Sequence, residues 1–166
     1  TSCMAAVEAV LKEKKKLKVS YKANSEIGIP LNILGLSVGS SDILAFDLIK
    51  ALFLSPIKAL MSKEDFDTYV VEMGVDGPDY PNNMEYLLTI VKPDVGVFLN
   101  AQAVHSQAFD KKVSETDPNK RREEIRKVIA LEKGKMIQAL PLNGMAILNA
   151  DDPFVMGFSQ IHKDRT

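Results

Sequence analysis

Apolar residues concentrate in short runs at Leu17 to Tyr21, Asp67 to Glu72, Asp94 to Asn100 and Gly144 to Asn149. β-branched residues are frequent in the middle two, and the runs have the length of buried strands. Between them the apolar positions recur at a helical spacing. Residues 1 to about 14 put Met4, Val7, Val10 and Leu11 on one stripe, which predicts a helix. Residues 41 to 61 predict a helix in two pieces, N-capped by Ser40 or Ser41 and broken at Ser55-Pro56, because proline removes a backbone donor and crowds the preceding turn. Further helices are predicted from about Asn83 to Val91, and from near Pro118 to about Leu140 with Gly134 as a weak point. Gly28 and Pro30 mark the stretch Lys22 to Pro30 as a loop, and glycines and prolines do the same for Gly74 to Asn83. Asp110 to Asn119 is polar and predicts a mobile connection.

Strands alternating with helices argue for an α/β fold, a mostly parallel sheet with helices on both faces and right-handed crossovers. With 166 residues, no internal repeat and no compositional boundary, residues 1–166 are expected to form a single domain. Two of the runs end abruptly in polar residues able to bind a ligand, Glu72 and Asn100. In open parallel sheets, ligands bind beyond the carboxyl ends of the strands. The stretch from Val70 to His105 is therefore expected to be the metal–phosphate shelf of a nucleotide-binding α/β domain.

Composition narrows the partners. Hydrophobic residues make up 46% and charged residues 26%, an ordinary balance for a soluble protein. A net charge of −1 supplies no basic field for nucleic acid or an anionic membrane. Cys3 is the one cysteine, so no internal disulfide or thiolate zinc cluster is available, which suits a reducing, cytoplasmic setting. No apolar run approaches the roughly 20 residues that span a bilayer. The longest, Ile43 to Leu60, is interrupted by Asp47, Lys50, Pro56 and Lys58. The lysine run Lys12 to Lys18 reads as the solvated end of the first helix, where cations suit the helix dipole. A polybasic membrane anchor would need an amphipathic or lipidated element that does not accompany it. The run also follows the apolar Met4-Ala-Ala-Val instead of preceding it, so no signal peptide is read.

Candidate chemistry begins with Lys133. Counting by fours along the long helix gives Ile125, Ile129, Lys133 and Ile137, with Val128, Met136 and Leu140 alongside. The lysine thus falls on the apolar stripe and away from Glu123, Glu124 and Lys127. It either snorkels at the stripe's edge or is directed into a polar site. Glu72 is either a hard-metal ligand or an exposed carboxylate at an ordinary turn. His105 is a candidate for metal ligation or proton transfer, against a packed or helix-start histidine. Asn149 with Asp151 and Asp152 reads as a ligand-facing strand end or as helix-cap chemistry. A Gly-rich loop ending in Gly-Lys-Ser/Thr is absent, as are G-x-G-x-x-G, G-x-S-x-G, H-E-x-x-H and paired C-x-x-C. On the residues alone the chain is an α/β nucleotide or anion binder.

Taken in order, five segments resemble the central, ATP-binding domain of the Mur ligases: Asn24-Ser-Glu-Ile-Gly-Ile-Pro-Leu31, Val71-Glu-Met-Gly74, Lys92 to Asn100 with His105, Ala130-Leu-Glu-Lys-Gly134, and Ala146 to Asp152. Within that family the resemblance is to the members that add D-alanyl-D-alanine to UDP-N-acetylmuramoyl-tripeptide. It implies a P-loop NTPase-like domain, ATP and two Mg²⁺ ions. The reaction implied is ATP-dependent amide ligation through an acyl phosphate, in peptidoglycan precursor synthesis in the cytoplasm.

Residue by residue, Glu72 resembles the carboxylate that holds magnesium between the β- and γ-phosphates, and His105 the ligand of the second magnesium. Lys133 falls where the family has a carbamylated lysine, whose oxygens and negative charge suit Mg²⁺ as a plain ammonium would not. Asn149 resembles the residue beside the adenine, and Asp152 is expected with it to be cofactor-binding. Asn24 and Ser25 lie in the loop near the muramoyl substrate. The chain opens Thr1-Ser2-Cys3-Met4 with no initiator methionine. The resemblance therefore implies a start just after the P-loop lysine, with Thr1 where the magnesium-binding hydroxyl stands, and little turnover by these residues alone. The substrates implied are a UDP-N-acetylmuramoyl-peptide and an amino acid or dipeptide that the sequence does not identify. A folylpolyglutamate synthase-like ligase domain remains an alternative, as does a non-catalytic, degenerate nucleotide-binding domain. The geometric expectation common to the ligase readings is that Glu72, His105 and Lys133 converge on magnesium at the open rim of a parallel sheet.

Overall fold

The computed structural model describes residues 2–36, 45–61, 65–103 and 106–160. The chain divides into two compact units, Thr1–Gly74 and Val75–Thr166.

In the first unit the elements run α1 (Ser2–Leu11), β1 (Leu17–Ser20), α2 (Gly28–Ile33), α3 (Ala45–Met61) and β2 (Thr68–Val71). β1 and β2 pair in parallel, with Leu17 opposite Thr68 and Ser20 opposite Val71. α1 lies against both strands and buries Met4. Helix α2 starts inside the stretch whose glycine and proline predicted a loop, at Gly28, and runs three residues past it. Its start is built by Ser25, whose Oγ accepts from the Gly28 amide at 3.1 Å and whose carbonyl accepts from Ile29 at 3.0 Å. Pro30 then falls in the first turn, where a missing backbone donor is no loss. Ile29, with no exposed surface, anchors the helix, and the Tyr69 hydroxyl donates to Asn32 Oδ1 at 2.9 Å to tie it to β2.

Helix α3 also departs from expectation, running through Pro56 without a break. Proline removes one amide donor, and the residue four positions earlier, Leu52, stands on an exposed turn where the freed carbonyl can meet water. The expected caps Ser40 and Ser41 lie outside the described residues.

The second unit runs α4 (Met84–Ile90), β3 (Val95–Phe98), α5 (Gln107–Asp110), α6 (Pro118–Gln138), β4 (Met145–Leu148) and α7 (Pro153–Met156). β3 and β4 pair in parallel, Val95 opposite Met145 and Phe98 opposite Leu148. Asn83 caps α4, its side chain accepting from the Tyr86 amide at 3.1 Å. Asp117 caps α6, accepting from the amides of Asn119 and Lys120, and Pro118 opens the helix. The core gathers Phe98, Ala101, Ala130, Ile137, Leu140, Val155 and Phe158.

Gly134 does not break α6. It opens room for a ring: a Cβ there would lie 2.0 Å from Cζ of Phe158. The polar connection after Asp110 is held by Arg121, whose guanidinium donates to the carbonyls of Asp110, Val113 and Glu115 and to the Asp110 carboxylate.

All four predicted strands form, and the α/β class with parallel pairing stands. The described strands make two two-stranded sheets, β1 with β2 and β3 with β4, where the alternation had predicted one sheet. No helix among the described residues is long and apolar enough to cross a membrane.

Candidate functional site

In the first unit the chain leaves β1 and β2 at the same edge, since the strands are parallel and in register to Ser20 and Val71. The residues that follow, Tyr21, Lys22 and Asn24 from β1 and Glu72 from β2, line a concavity of about 260 Å³ with Met4 of α1. Two local features shape it. Lys22 takes a left-handed backbone, φ 61°, turning the chain so that buried Ser20 donates from Oγ to the Ala23 carbonyl at 2.5 Å. The Gly74 amide then donates to the Asn24 carbonyl at 2.7 Å, so the two strand ends are stitched together. The Tyr21 hydroxyl donates to Glu8, and that bond, with burial, pushes its pKa above the usual phenol value. Two residues chosen from sequence, Glu72 and Asn24, are thus brought into one concavity, with the Glu72 side chain exposed. Ser25 is half-buried and its Oγ already serves the start of α2.

In the second unit the turn after β4 is built on Asn149 and Asp152. The Asn149 amide continues the ladder to the Phe98 carbonyl at 3.1 Å. Its side chain donates to the Leu99 carbonyl at 2.9 Å and accepts from the Asp151 amide at 3.1 Å. Asp152 is buried and caps α7, accepting from Phe154 on Oδ1 at 3.0 Å and from Ala101 on Oδ2 at 3.1 Å. Arg126 Nη2 stands 3.4 Å from that second oxygen. Burial alone would push the Asp152 carboxyl up. The backbone amides of Ala101, Phe154 and Val155, with Arg126, outweigh it and hold the pKa below the ordinary value. Of the two readings left open for this turn, cap chemistry is present.

Lys133 is half-buried, and Glu132 beside it is buried at 6% exposure. Ile125, Ile129 and Ile137, counted by fours along the helix, are all buried, and half-buried Lys133 falls between Ile129 and Ile137 on the same face. The buried residues of α6 are Ile125, Ile129, Ala130, Glu132, Gly134 and Ile137, an arc of the helix that includes the Lys133 position.

Glu132 is the residue that sequence reasoning missed, although its i, i+4, i+7 spacing from Ile125 and Ile129 was a usable signal. Its Oε1 accepts from the Met84 amide at 2.9 Å, and Oε2 pairs with Lys135 at 2.8 Å. A second, more open concavity of about 460 Å³ is lined by Asn119, Arg122, Glu123, Arg126, Pro153 and Phe154.

His105 and Thr1, both proposed as metal ligands from the sequence, lie outside the described residues. Glu72 belongs to the first unit and Lys133 to the second. Among the described residues no three His, Cys, Asp or Glu side chains gather as a metal cluster. Magnesium, however, typically takes one or two carboxylates and completes its octahedron with phosphate and water. Glu72, an exposed carboxylate, and Asn24, an amide, line one concavity and carry hard oxygens of the type such an ion accepts.

Parallel strands joined through helices place the chain in the α/β class. The Mur ligase middle domain family matches residues 1–165, and the chain belongs to that family. Its curated relatives include UDP-N-acetylmuramoyl-tripeptide–D-alanyl-D-alanine ligase of Mycobacterium bovis and of Mycobacterium tuberculosis, each 29% identical over 106 residues. That similarity covers 64% of this chain and 18% of the relative, so the chain spans under a fifth of the length of the proteins it matches. No solved structure matches the chain.

Proposed function

We propose that this chain is the ATP-handling part of a Mg²⁺-dependent ligase of peptidoglycan precursor synthesis, acting in the cytoplasm and P-loop NTPase-like in its phosphate chemistry. The enzyme would join an amino acid or dipeptide to a UDP-N-acetylmuramoyl-peptide. The observation that carries this reading is the concavity past β1 and β2, where Glu72 and Asn24 share one wall in a chain of the Mur ligase family. The substrate carboxylate would take the γ-phosphoryl group of ATP to give an acyl phosphate, and the incoming amine would displace phosphate from it. Phosphoryl transfer of this type asks the protein mainly for positioning and charge neutralisation.

In this reading Glu72 holds one magnesium, and Thr1 contributes a hydroxyl to the same ion. His105 and a carbamylated Lys133 hold a second. The bound metal supplies charge neutralisation for the phosphates. Asn24 and Ser25 orient the muramoyl part: Ser25 Oγ accepts from Gly28, which leaves its own proton free to donate. Asn149, with both ends of its amide engaged, and Asp152 keep the turn after β4 in the shape against which an adenine would lie. The half-buried position of Lys133 suits a side chain that must be shielded from bulk water to keep a carbamate.

The test is phosphate release by the protein expressed from its full reading frame, given ATP, Mg²⁺, UDP-N-acetylmuramoyl-tripeptide and D-alanyl-D-alanine. Glu72→Ala and Lys133→Ala should each abolish amide formation with circular dichroism unchanged. Wild-type turnover in either variant would remove the site assignment, and turnover of a folate acceptor with glutamate instead would move the chain to the sister ligases.

A further inference from the structure

Arg126 reaches from α6 to two turns at once. Its Nε donates to the Ala101 carbonyl at 3.1 Å, just past β3, and its Nη2 meets Asp152 Oδ2 at 3.4 Å, just past β4. The guanidinium carbon lies 4.8 Å from the centroid of the Phe154 ring at the start of α7. Ala101, with no exposed surface, has both backbone polar groups engaged: its amide donates to Asp152 and its carbonyl accepts from Arg126. Arg126, Ala101 and Asp152 therefore close a ring of hydrogen bonds that joins three separate parts of the chain. Ala101 directly follows Asn100, and Asp152 closes the turn that Asn149 opens, so the ring fixes where these two strand-end amides stand.

We propose that Arg126 is a positioning residue, a fork that clamps the turn after β3 to the turn after β4 and so sets the nucleotide-facing edge of this pair of strands. The clamp stands on geometry alone, and its service to a nucleotide rests on the ligase reading. The planar guanidinium is what the task requires. It presents separate N–H groups in fixed directions to a neutral carbonyl and a carboxylate while lying flat on a ring. A lysine ammonium on the same stem keeps the charge but not the fork.

The test uses Arg126→Lys and Arg126→Met in the full reading frame, with two readouts. Amide hydrogen exchange should show the Ala101 and Asp151 amides losing about tenfold or more of their protection in Arg126→Lys, because local opening of the two turns no longer has to break the fork. The amides of β4, Met145 to Leu148, should stay within about twofold of wild type, and the thermal midpoint should move little. In the ligation assay the KM for ATP should rise about tenfold while kcat changes far less.

Wild-type protection at Ala101 in Arg126→Lys would overturn the clamp. Loss of protection along the whole of β4 would also overturn it, because Arg126 would then be a general support of the fold. Should the wild-type protein turn over no ATP with any acceptor, the ligase reading fails while the exchange measurement still decides the clamp.

Discussion

The Gly74 amide donates to the Asn24 carbonyl oxygen at 2.7 Å, and a Cβ on Gly74 would stand 3.0 Å from that same oxygen. The side chain of Asn24 presses from the same direction, with Nδ2 at 3.1 Å and Cγ at 3.2 Å from the position a Cβ would take. The loop after β1 therefore lies against the end of β2 more closely than a side chain at residue 74 would comfortably allow. Through this contact Glu72 after β2 and Asn24 after β1, more than forty residues apart, come to line one concavity.

Gly74→Ala should press Asn24 away from β2 and lengthen the 2.7 Å bond. Backbone displacement by an inserted methyl typically costs about 1–3 kcal/mol. A urea midpoint lowered to that extent, together with weaker binding of whatever occupies the concavity, is the expected result. An unchanged midpoint would mean that the loop is free to move aside.

Gly134→Ala should be harsher. The new Cβ would overlap the Phe158 ring, at 2.0 Å from Cζ and 2.1 Å from Cε1, and the ring must leave the core it shares with Phe98 and Ile137. Loss of a buried phenyl is expected to cost about 3–5 kcal/mol. Gly134→Ala with Phe158→Leu should recover part of this, because the smaller side chain clears the methyl. A double-mutant cycle in urea then reads a coupling on the order of 1 kcal/mol or more between positions 134 and 158. Additive losses would place the damage in α6 itself.

Glu132 separates charge from hydrogen bonding. Glu132→Ala strands the Met84 amide, on a residue only 2% exposed, without its acceptor, and should lower stability by about 1–3 kcal/mol. Glu132→Gln keeps an acceptor oxygen at that place and should lose less than half as much. Lys135→Ala removes the other partner, whose side chain is 37% exposed, and should cost under about 1 kcal/mol. Denaturation midpoints in that order would show that the carboxylate is kept for the Met84 amide and only secondarily for Lys135.

These contrasts show what periodicity can and cannot reveal. Strands at Leu17, Thr68, Val95 and Met145 were legible because short apolar runs bounded by turn residues leave few other options. The α2 helix was not, since the Ser25 bond that starts it depends on a rotamer and not on composition. Pro56 and Gly134 were read by their intrinsic preference, yet one sits on an open turn and the other accommodates a ring, and both preferences yielded to tertiary context. At the site, the strand-end positions of Glu72 and Asn149 followed from pattern. The Arg126 fork did not, because its partners, the Ala101 carbonyl and Asp152, lie twenty-five and twenty-six residues away in sequence.

Asp152 should leave a signature in the acid limb of stability. Burial raises its pKa, but the amides of Ala101, Phe154 and Val155 and the charge of Arg126 outweigh burial, so the folded pKa lies below the 3.8 of an ordinary aspartate. As pH falls, the unfolded chain takes up this proton first. The contribution of the carboxylate is therefore complete above the unfolded value and disappears as pH drops through the lower folded one. Asp152→Asn cannot make that exchange. It keeps one acceptor oxygen for either Phe154 or Ala101, and should be less stable at pH 7 by about 1–3 kcal/mol. Asp65, Asp110 and Glu115, whose pKa values are also lowered, titrate in both proteins and cancel in the comparison. The gap between wild type and Asp152→Asn in urea should therefore narrow steadily between pH 5 and pH 2. A gap of constant size across that range would mean that Asp152 supports α7 and the Ala101 turn by shape alone, with no net preference for its ionised form.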